Sequence, residues 1–479
     1  MLRVNRITAS ALAMSLALGG CSVGPDFKRP DNPMLSAPAL ATGALKPEPV
    51  PADWWNLFND PVLTRLEAHA ARENLDLQAS AALLEASRAQ LRIADAALLP
   101  RVGVGAGYSR EGLSENGQFA LLGAPSAPHN YWQASFDASW ELDLWGHARR
   151  QGEEAAATLE ASLQDREAMR VSTAAEVARQ YLLLRGLQTR LSIVRQNLEI
   201  ARHTLRLAES RQRNGIGTRF DTASARSQIA TTQALATQLE HQRNQAMSAL
   251  ALLLGQPPHA LDQELATAMP TPGMPQRLPI GIPSELAQRR PDILRAEARL
   301  HAATAAVGAA RADFYPRIKL LGALGTQSFD FADLGSWASR QFSLGPTLYL
   351  PIFEGGRLKG QLALTQARQQ GAAIAYRQAV LGAWHEADTA IDAYQTELRR
   401  HGELEDASRQ NREALEVAQR SYQQGSADYL TVLVAQRDLL ASQSAVADSA
   451  TASALSLVAL YRAIAGGWDP GSPQAGAGQ

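Results

Sequence analysis

The chain has a single cysteine, Cys21, in 479 residues, so no disulfide can form within it. Its 46 Lys and Arg balance 47 Asp and Glu, which leaves no basic field to favour a nucleic acid as partner. Beyond the first 20 residues there is no apolar run of the roughly 18 residues that a membrane helix needs. Catalytic signatures are missing too. There is no GxxxxGK[S/T] loop, and His385-Glu386 lacks the second histidine of HExxH. Gly103-Val104-Gly105-Ala106-Gly107 has the look of a nucleotide loop but lies inside a strand pattern. No catalytic residue, no metal ligand set and no cofactor are expected. Proline is absent from Gly146 to Asn214 and from Gly355 to Gln424, so nothing there interrupts a helix.

What is present is a duplicated plan. An Ala-rich helical stretch, a Pro-Arg step, a strand, a loop, a strand and a long helix occur twice. The Pro-Arg steps are Pro100-Arg101 and Pro316-Arg317. Duplicated halves of this kind build one body rather than separate domains. Ahead of them, residues 1–20 read as a signal peptide, with Arg3 and Arg6 before the apolar stretch Ile7 to Leu18. Leu18-Gly19-Gly20-Cys21 resembles the lipobox of bacterial lipoproteins, so Cys21 is the expected lipidation site, with a covalent lipid as the only attached group. Residues 21–52 read as a lipidated tether. Repeats over 53–265 and 284–468 follow, joined by a proline-rich linker at 266–283, and a disordered tail occupies 469–479.

The strand pattern is clearest from Tyr131 to Trp145. Trp132, Ala134, Phe136, Ala138, Trp140, Leu142 and Leu144 alternate with Gln133, Ser135, Asp137, Ser139, Glu141 and Asp143. Lipid on one side and water on the other would ask for this alternation, although a strand of a soluble sandwich alternates as well. Arg101 to Arg110 is its partner, with a turn-rich loop over Glu111 to Asn130. The second copy places strands at Arg317 to Gln327 and Arg340 to Ile352, with a bulge or break expected at Pro346. A helix is expected from Asp60-Pro61 to about Leu99. Runs of about 70 helical residues, on the order of 100 Å each, end at Asn214-Gly215-Ile216-Gly217 and Gln424-Gly425-Ser426-Ala427. Helices then return over Arg219 to Leu254 and Tyr429 to Ile464, with small apolar residues three and four apart, as in coiled coils.

Four strands cannot close a barrel, and lipid does not tolerate open edges, so the strands imply an oligomer. Two chains would supply eight strands with a filled interior; three would supply twelve and leave room for water.

Several motifs in fixed order carry a resemblance. They are Asp53-Trp54-Trp55 before Asp60-Pro61, then Arg289-Arg290-Pro291-Asp292-Ile293 and Phe314-Tyr315-Pro316-Arg317. Ile352-Phe353-Glu354-Gly355-Gly356-Arg357, Tyr429-Leu430-Thr431-Val432-Leu433 and Gly466-Gly467-Trp468 complete the set. Across the whole mature chain this resembles the TolC-like outer-membrane efflux factors, in the NodT/OprM-like lipoprotein branch that serves resistance-nodulation-division (RND) pumps. The resemblance implies a mixed membrane protein. Four β-strands per chain would contribute to a trimeric 12-stranded outer-membrane β-barrel, continued by a long antiparallel α-helical coiled-coil barrel in the periplasm. It further implies a homotrimer in the outer membrane of a Gram-negative bacterium, lipid-anchored. Its partners would be outer-membrane lipid, a periplasmic adaptor and an RND-type inner-membrane pump. With no means of using ATP in the chain, conduction would be passive and gated at the periplasmic tip. A duct for type I protein secretion, a duct for metal efflux and a non-pore trimeric envelope protein stand as the alternatives.

The same resemblance places gate residues at Asp221 and Tyr422, where relatives hold a carboxylate–phenol contact. A helix cap and interhelical packing are the plain readings of these two. The tip arginine of the family falls on Ala427 here, and its aspartate rings fall on Thr431 and Val434, which makes Asp428 the expected carboxylate at the mouth. Adaptor contacts are implied at Gly215, Ile216, Gly217, Gly425, Ser426 and Ala427, whose glycines also serve the turns themselves.

Overall fold

A computed structural model describes residues 22–30, 45–46, 48–117, 127–275, 278–281 and 289–466. The signal segment, Cys21, the middle of the first strand-to-strand loop and residues 467–479 lie outside the described residues. In chain order the first half gives β1 (Leu45–Lys46), α1 (Pro61–Glu73), α2 (Leu75–Asp95), β2 (Arg101–Glu111), β3 (His129–Leu142), α3 (His147–Arg213) and α4 (Arg219–Leu253). A single turn, α5 (Asp262–Leu265), and β4 (Leu278–Pro279) lead to α6 (Pro291–Ala312), β5 (Arg317–Ser328), β6 (Arg340–Tyr349), α7 (Arg357–Gln424) and α8 (Tyr429–Ala463). These elements make two units. The first draws its described residues from Met1–Pro30, Leu84–Ser162 and Ala296–Tyr376, the second from Asp31–Leu83, Leu163–Arg295 and Arg377–Gln479.

The first unit holds an antiparallel sheet of order β2-β3-β5-β6. β3 stops at Leu142 rather than Trp145 because the chain changes task there. Asp143 accepts from the amides of Ala148 and Arg149 and so caps α3 (3.2 and 2.9 Å), while Trp145 stacks on Tyr315 at 4.8 Å. Pro346 causes no bulge. The ladder runs unbroken from Arg317↔Tyr349 to Thr326↔Arg340 and places Pro346 opposite Leu320. β6 is the outer strand, where alternate amides point away from β5, so a residue without an N–H is accommodated.

The tether reading does not describe residues 22–30, which are seated on the first unit. Val23 donates to the carbonyl of Trp145 at 3.0 Å, and Arg150 pairs with Asp26 at 2.6 Å. Phe27 stacks on His301 at 4.5 Å, and Gly24 (φ +112°) packs against Gly308, where a Cβ would lie 2.5 Å from Cα.

In the second unit, Asp60 caps α1 through the amides of Val62 and Leu63, with Pro61 in the first turn. The buried Tyr181 hydroxyl donates to the same carboxylate at 2.5 Å, and burial pushes that phenol up. The helix expected from Pro61 to Leu99 is broken at Asn74, whose backbone is extended (ψ 126°). Its side chain caps the next helix at Leu77 and donates to the carbonyl of Leu253 (2.8 Å), so a tertiary bond replaces helical continuity. The segment 266–283 is more than a linker at its described residues. β4 pairs in parallel with β1, and α3 grips the chain at its start through Gln188 and Arg185, which donate to the carbonyls of Leu265 and Thr267.

The two 67- and 68-residue helices form as expected, and their small residues set close packing. At Gly186 a Cβ would stand 2.1 Å from Thr451 Oγ1, so α3 and α8 touch there without a side chain between them. Polar bonds cross the same bundle, Asn197 to Gln443 (2.8 Å), Gln436 to Thr204 (2.6 Å) and Arg437 to Gln228 (3.0 Å). One window of α8 is apolar enough to cross a membrane, contrary to the reading of the sequence. Half of that window is buried within the unit, with Leu457, Val458 and Leu460 in the core, so its apolarity serves packing.

Candidate functional site

The sheet of the first unit sorts most of its residues by face, with Leu321 opposite Ser139 and Thr326 opposite Ala134 as exceptions. Register aligns Val104, Phe136, Leu324 and Phe342 in one row, and Val102, Ala138, Gly322 and Leu344 in the next. This apolar face covers no core: Phe342 is 78% exposed and Leu344 86%. A soluble sandwich would bury such a face, and an open patch of this kind asks for lipid. Trp132 stacks near Tyr108 (4.2 Å) and Phe331 (5.0 Å), and eight residues further along β3 Trp140 donates to the carbonyl of Leu98. Eight residues at about 3.3 Å is roughly 26 Å along the strand, or about 20 Å of height at the usual tilt of barrel strands, which places the two aromatic groups near the margins of an outer-membrane band.

The opposite face carries Gln133, Ser135, Asp137, Ser139 and Glu141 beside Gly103, Gly105, Gly107, Gly325 and Gly345. Lys319 reaches Glu141 across the strands at 3.3 Å. Small and charged residues together suit a water-filled lumen. Within one chain, among the described residues, the outer edges of β2 and β6 have no strand beside them.

The second candidate region is the pair of helix tips in the second unit. They are copies of one turn. Gly215 and Gly425 take φ +75° and +77°, a conformation that favours glycine. The carbonyl of Arg211 accepts from Ile216 and Gly217 (3.0 and 3.1 Å), and that of Ser421 accepts from Ser426 and Ala427 (2.9 and 3.3 Å). Gly217 is needed for a different reason, since a Cβ would meet the backbone nitrogen of Gln212 at 2.9 Å. Ile216 and Phe220 stand about two-thirds exposed at the first tip. Beside the second, a groove of about 460 Å³ is lined by Glu413, Val417, Ser421, Ala427 and Thr431, among others.

The caps of the returning helices invert one another. Thr218 caps α4 and exchanges bonds with Asp221, whose carboxylate accepts from the Thr218 amide at 3.0 Å. Asp428 caps α8 and accepts from both the hydroxyl and the amide of Thr431, which holds its carboxyl below the usual range. Asp221 is therefore a helix-cap residue, and its carboxylate makes no hydrogen bond to Tyr422. Tyr422 is buried with Tyr429, Val432, Leu433 and Leu415; burial pushes its phenol up, against the opposing charge of Arg211. Among the described residues its hydroxyl has no partner. Sequence reading passed over Arg211, whose guanidinium lies 4.5 Å above the Tyr422 ring. A basic residue in the last turn of a long helix is commonplace, so the sequence carried no signal for it.

Known proteins share this fold. A profile of the outer membrane efflux protein family matches residues 68–256 and 282–466. The pyoverdine export outer membrane protein OpmQ of Pseudomonas putida is 35% identical over 467 residues, covering 96% of this chain and 98% of that protein. The toluene efflux pump outer membrane protein TtgF, also of Pseudomonas putida, is 33% identical and spans 97% and 98%. Among solved structures, the outer-membrane channel OprN superposes with a TM-score of 0.87 at 33% identity, over 94% of this chain and 100% of that one. These relatives are transport proteins. The fold is that of the trimeric TolC-like channels, with a helical barrel and a β-barrel to which each chain gives four strands. The chain belongs to the outer membrane efflux protein family and is a channel subunit of an efflux system in the outer membrane.

Proposed function

We propose that three copies of this chain form the passive exit duct of a tripartite pump, joined by a periplasmic adaptor to an RND-type inner-membrane transporter that supplies the energy. The two repeats, 53–265 and 284–468, each contribute one helix tip. The tips close the periplasmic mouth, with Asp221, Tyr422 and Asp428 shaping the constriction. Residues 215–217 and 425–427 offer the adaptor its seat, and the exposed Ile216 and Phe220 support an apolar contact there. Acylation of Cys21 anchors the N-terminus; a single acyl chain gives only marginal binding, so several are required. The chain does no chemistry of its own. Relatives of nearly equal identity are named for pyoverdine and for toluene. That supports leaving cargo choice to the pump and adaptor.

The observation that carries the gate reading is the pair of like turns, each locked by its own cap, above a buried Tyr422. Asp221→Ala with Tyr422→Ala removes a cap and the ring beneath it. Single-channel recording in planar bilayers should then show at least a twofold higher resting conductance, a floor set by the half to two kcal/mol that a lost cap costs. An unchanged conductance would retire the tips as the gate.

A further inference from the structure

We propose that Arg211 is the latch of the closed tip, one residue that fastens both turns at once; this rests on the gate reading above. Its backbone carbonyl accepts from Ile216 and Gly217 and so closes the first turn. Its side chain holds the second. Nη1 donates to the carbonyl of Tyr422 at 2.7 Å, the same carbonyl that accepts from Gly425 at 3.1 Å to begin that turn. The guanidinium carbon lies 4.5 Å over the Tyr422 ring, and Tyr422 in turn meets Tyr429 edge-on at 5.9 Å. A planar cation with several donors can stack and donate together; lysine does one or the other well. The duplication repeats the turns but not this pair. Counting from the tip glycines, Arg211-Gln212 corresponds to Ser421-Tyr422, so the cation and the ring each occur in one copy and meet across the copies.

The latch is poised rather than tight. Arg211 Nε and the Tyr422 hydroxyl are both buried, and among the described residues neither has a hydrogen-bond partner. Buried polar atoms without partners favour any state that hydrates them. The stack and the carbonyl bond hold the tip closed, while these two atoms favour release. An adaptor that pries the tips apart would expose both to water.

The geometry sets an order of effects that a phenol-based gate would not. Arg211→Ala should raise resting conductance roughly thirtyfold, the factor that the lower ends of a cation–π contact and a charge-assisted bond together imply. Tyr422→Ala removes the stack but leaves the backbone carbonyl that Arg211 donates to, so it should leak by a smaller factor, and the double variant should be no leakier than Arg211→Ala alone. Tyr422→Phe keeps the ring and loses the partnerless hydroxyl, so its channel should rest closed at least as firmly as the parent. Arg211→Lys should fall between. The readout is resting conductance of trimers in planar bilayers, with the melting temperature of the same trimers showing that the fold survives. If Tyr422→Phe leaks as much as Tyr422→Ala, the hydroxyl is the closing group and the latch assignment fails. If the Asp221→Ala, Tyr422→Ala variant leaks but Arg211→Ala does not, the gate stands and the latch falls. If none of them leaks, the gate reading itself is lost. Simple additivity of Arg211→Ala and Tyr422→Ala would also overturn the pairing.

Discussion

Replacing Phe136 with arginine should abolish stable trimers. Phe136 stands mid-strand in β3 between Val104 and Leu324, on the face that covers no core. It is 61% exposed in the isolated chain. In a folded outer-membrane barrel an arginine facing mid-bilayer costs about 2–4 kcal/mol. Every chain of a trimer would bear that cost, against a total stability of only about 5–15 kcal/mol for an ordinary domain. Asp137→Arg supplies the control one residue along. Its side chain belongs to the polar face, beside Gly103 and Ala323 in the register, so water solvates the new charge and assembly should survive. Gel mobility of unheated trimers and urea titration in lipid vesicles report both outcomes. Equal loss in the two variants would mean that the faces do not divide lipid from water.

Arg290→Ala should cost the second unit about 3 kcal/mol. Arg290 is 7% exposed and contacts Asp292 (2.8 Å), Glu386 (2.7 Å) and the carbonyl of Ala463 at the end of α8. One guanidinium thus ties the start of α6 to α7 and α8. Removing one partner of a buried ion pair leaves uncompensated charge, commonly about 3–5 kcal/mol. The lower end applies because Asp292 and Glu386 are each about one-third exposed and water can screen them. Arg290→Lys keeps the charge but loses the fork that reaches three acceptors, so it should recover only part of the loss. Urea midpoints of helical circular dichroism measure the difference. An unchanged midpoint for Arg290→Ala would show that α6, α7 and α8 hold together without it.

Patterns that repeat over many residues were legible in the sequence. The alternation from Trp132 to Leu142 gave the lipid-facing side of β3, and the proline-free runs gave α3 and α7 nearly to the residue. Glycine breaks located both tips because a left-handed turn leaves few residues to choose from. What escaped were features decided by distant partners. Asn74 breaks a helix of good periodicity because Leu253, far away in the chain, offers its carbonyl. Residues 22–30 look like a polar tether, yet they are held by Trp145, Arg150 and His301. At the tips, the sequence marked Asp221 and Tyr422 singly. The plain readings of the two, a helix cap and interhelical packing, hold, but the sequence could not show that Arg211 takes the place above the ring.

Strand pairing between copies tests the account most directly. In a closed barrel the bare edge of β2 in one chain must lie beside the bare edge of β6 in the next. Cysteine pairs scanned over Gly103 to Gly107 and Ser343 to Thr347, in a chain with one native cysteine to control for, report that contact by oxidation in outer membranes. The account predicts covalent ladders of one, two and three chains that stop at three. Chains that stay single at every pair, or ladders that continue past three, would contradict it.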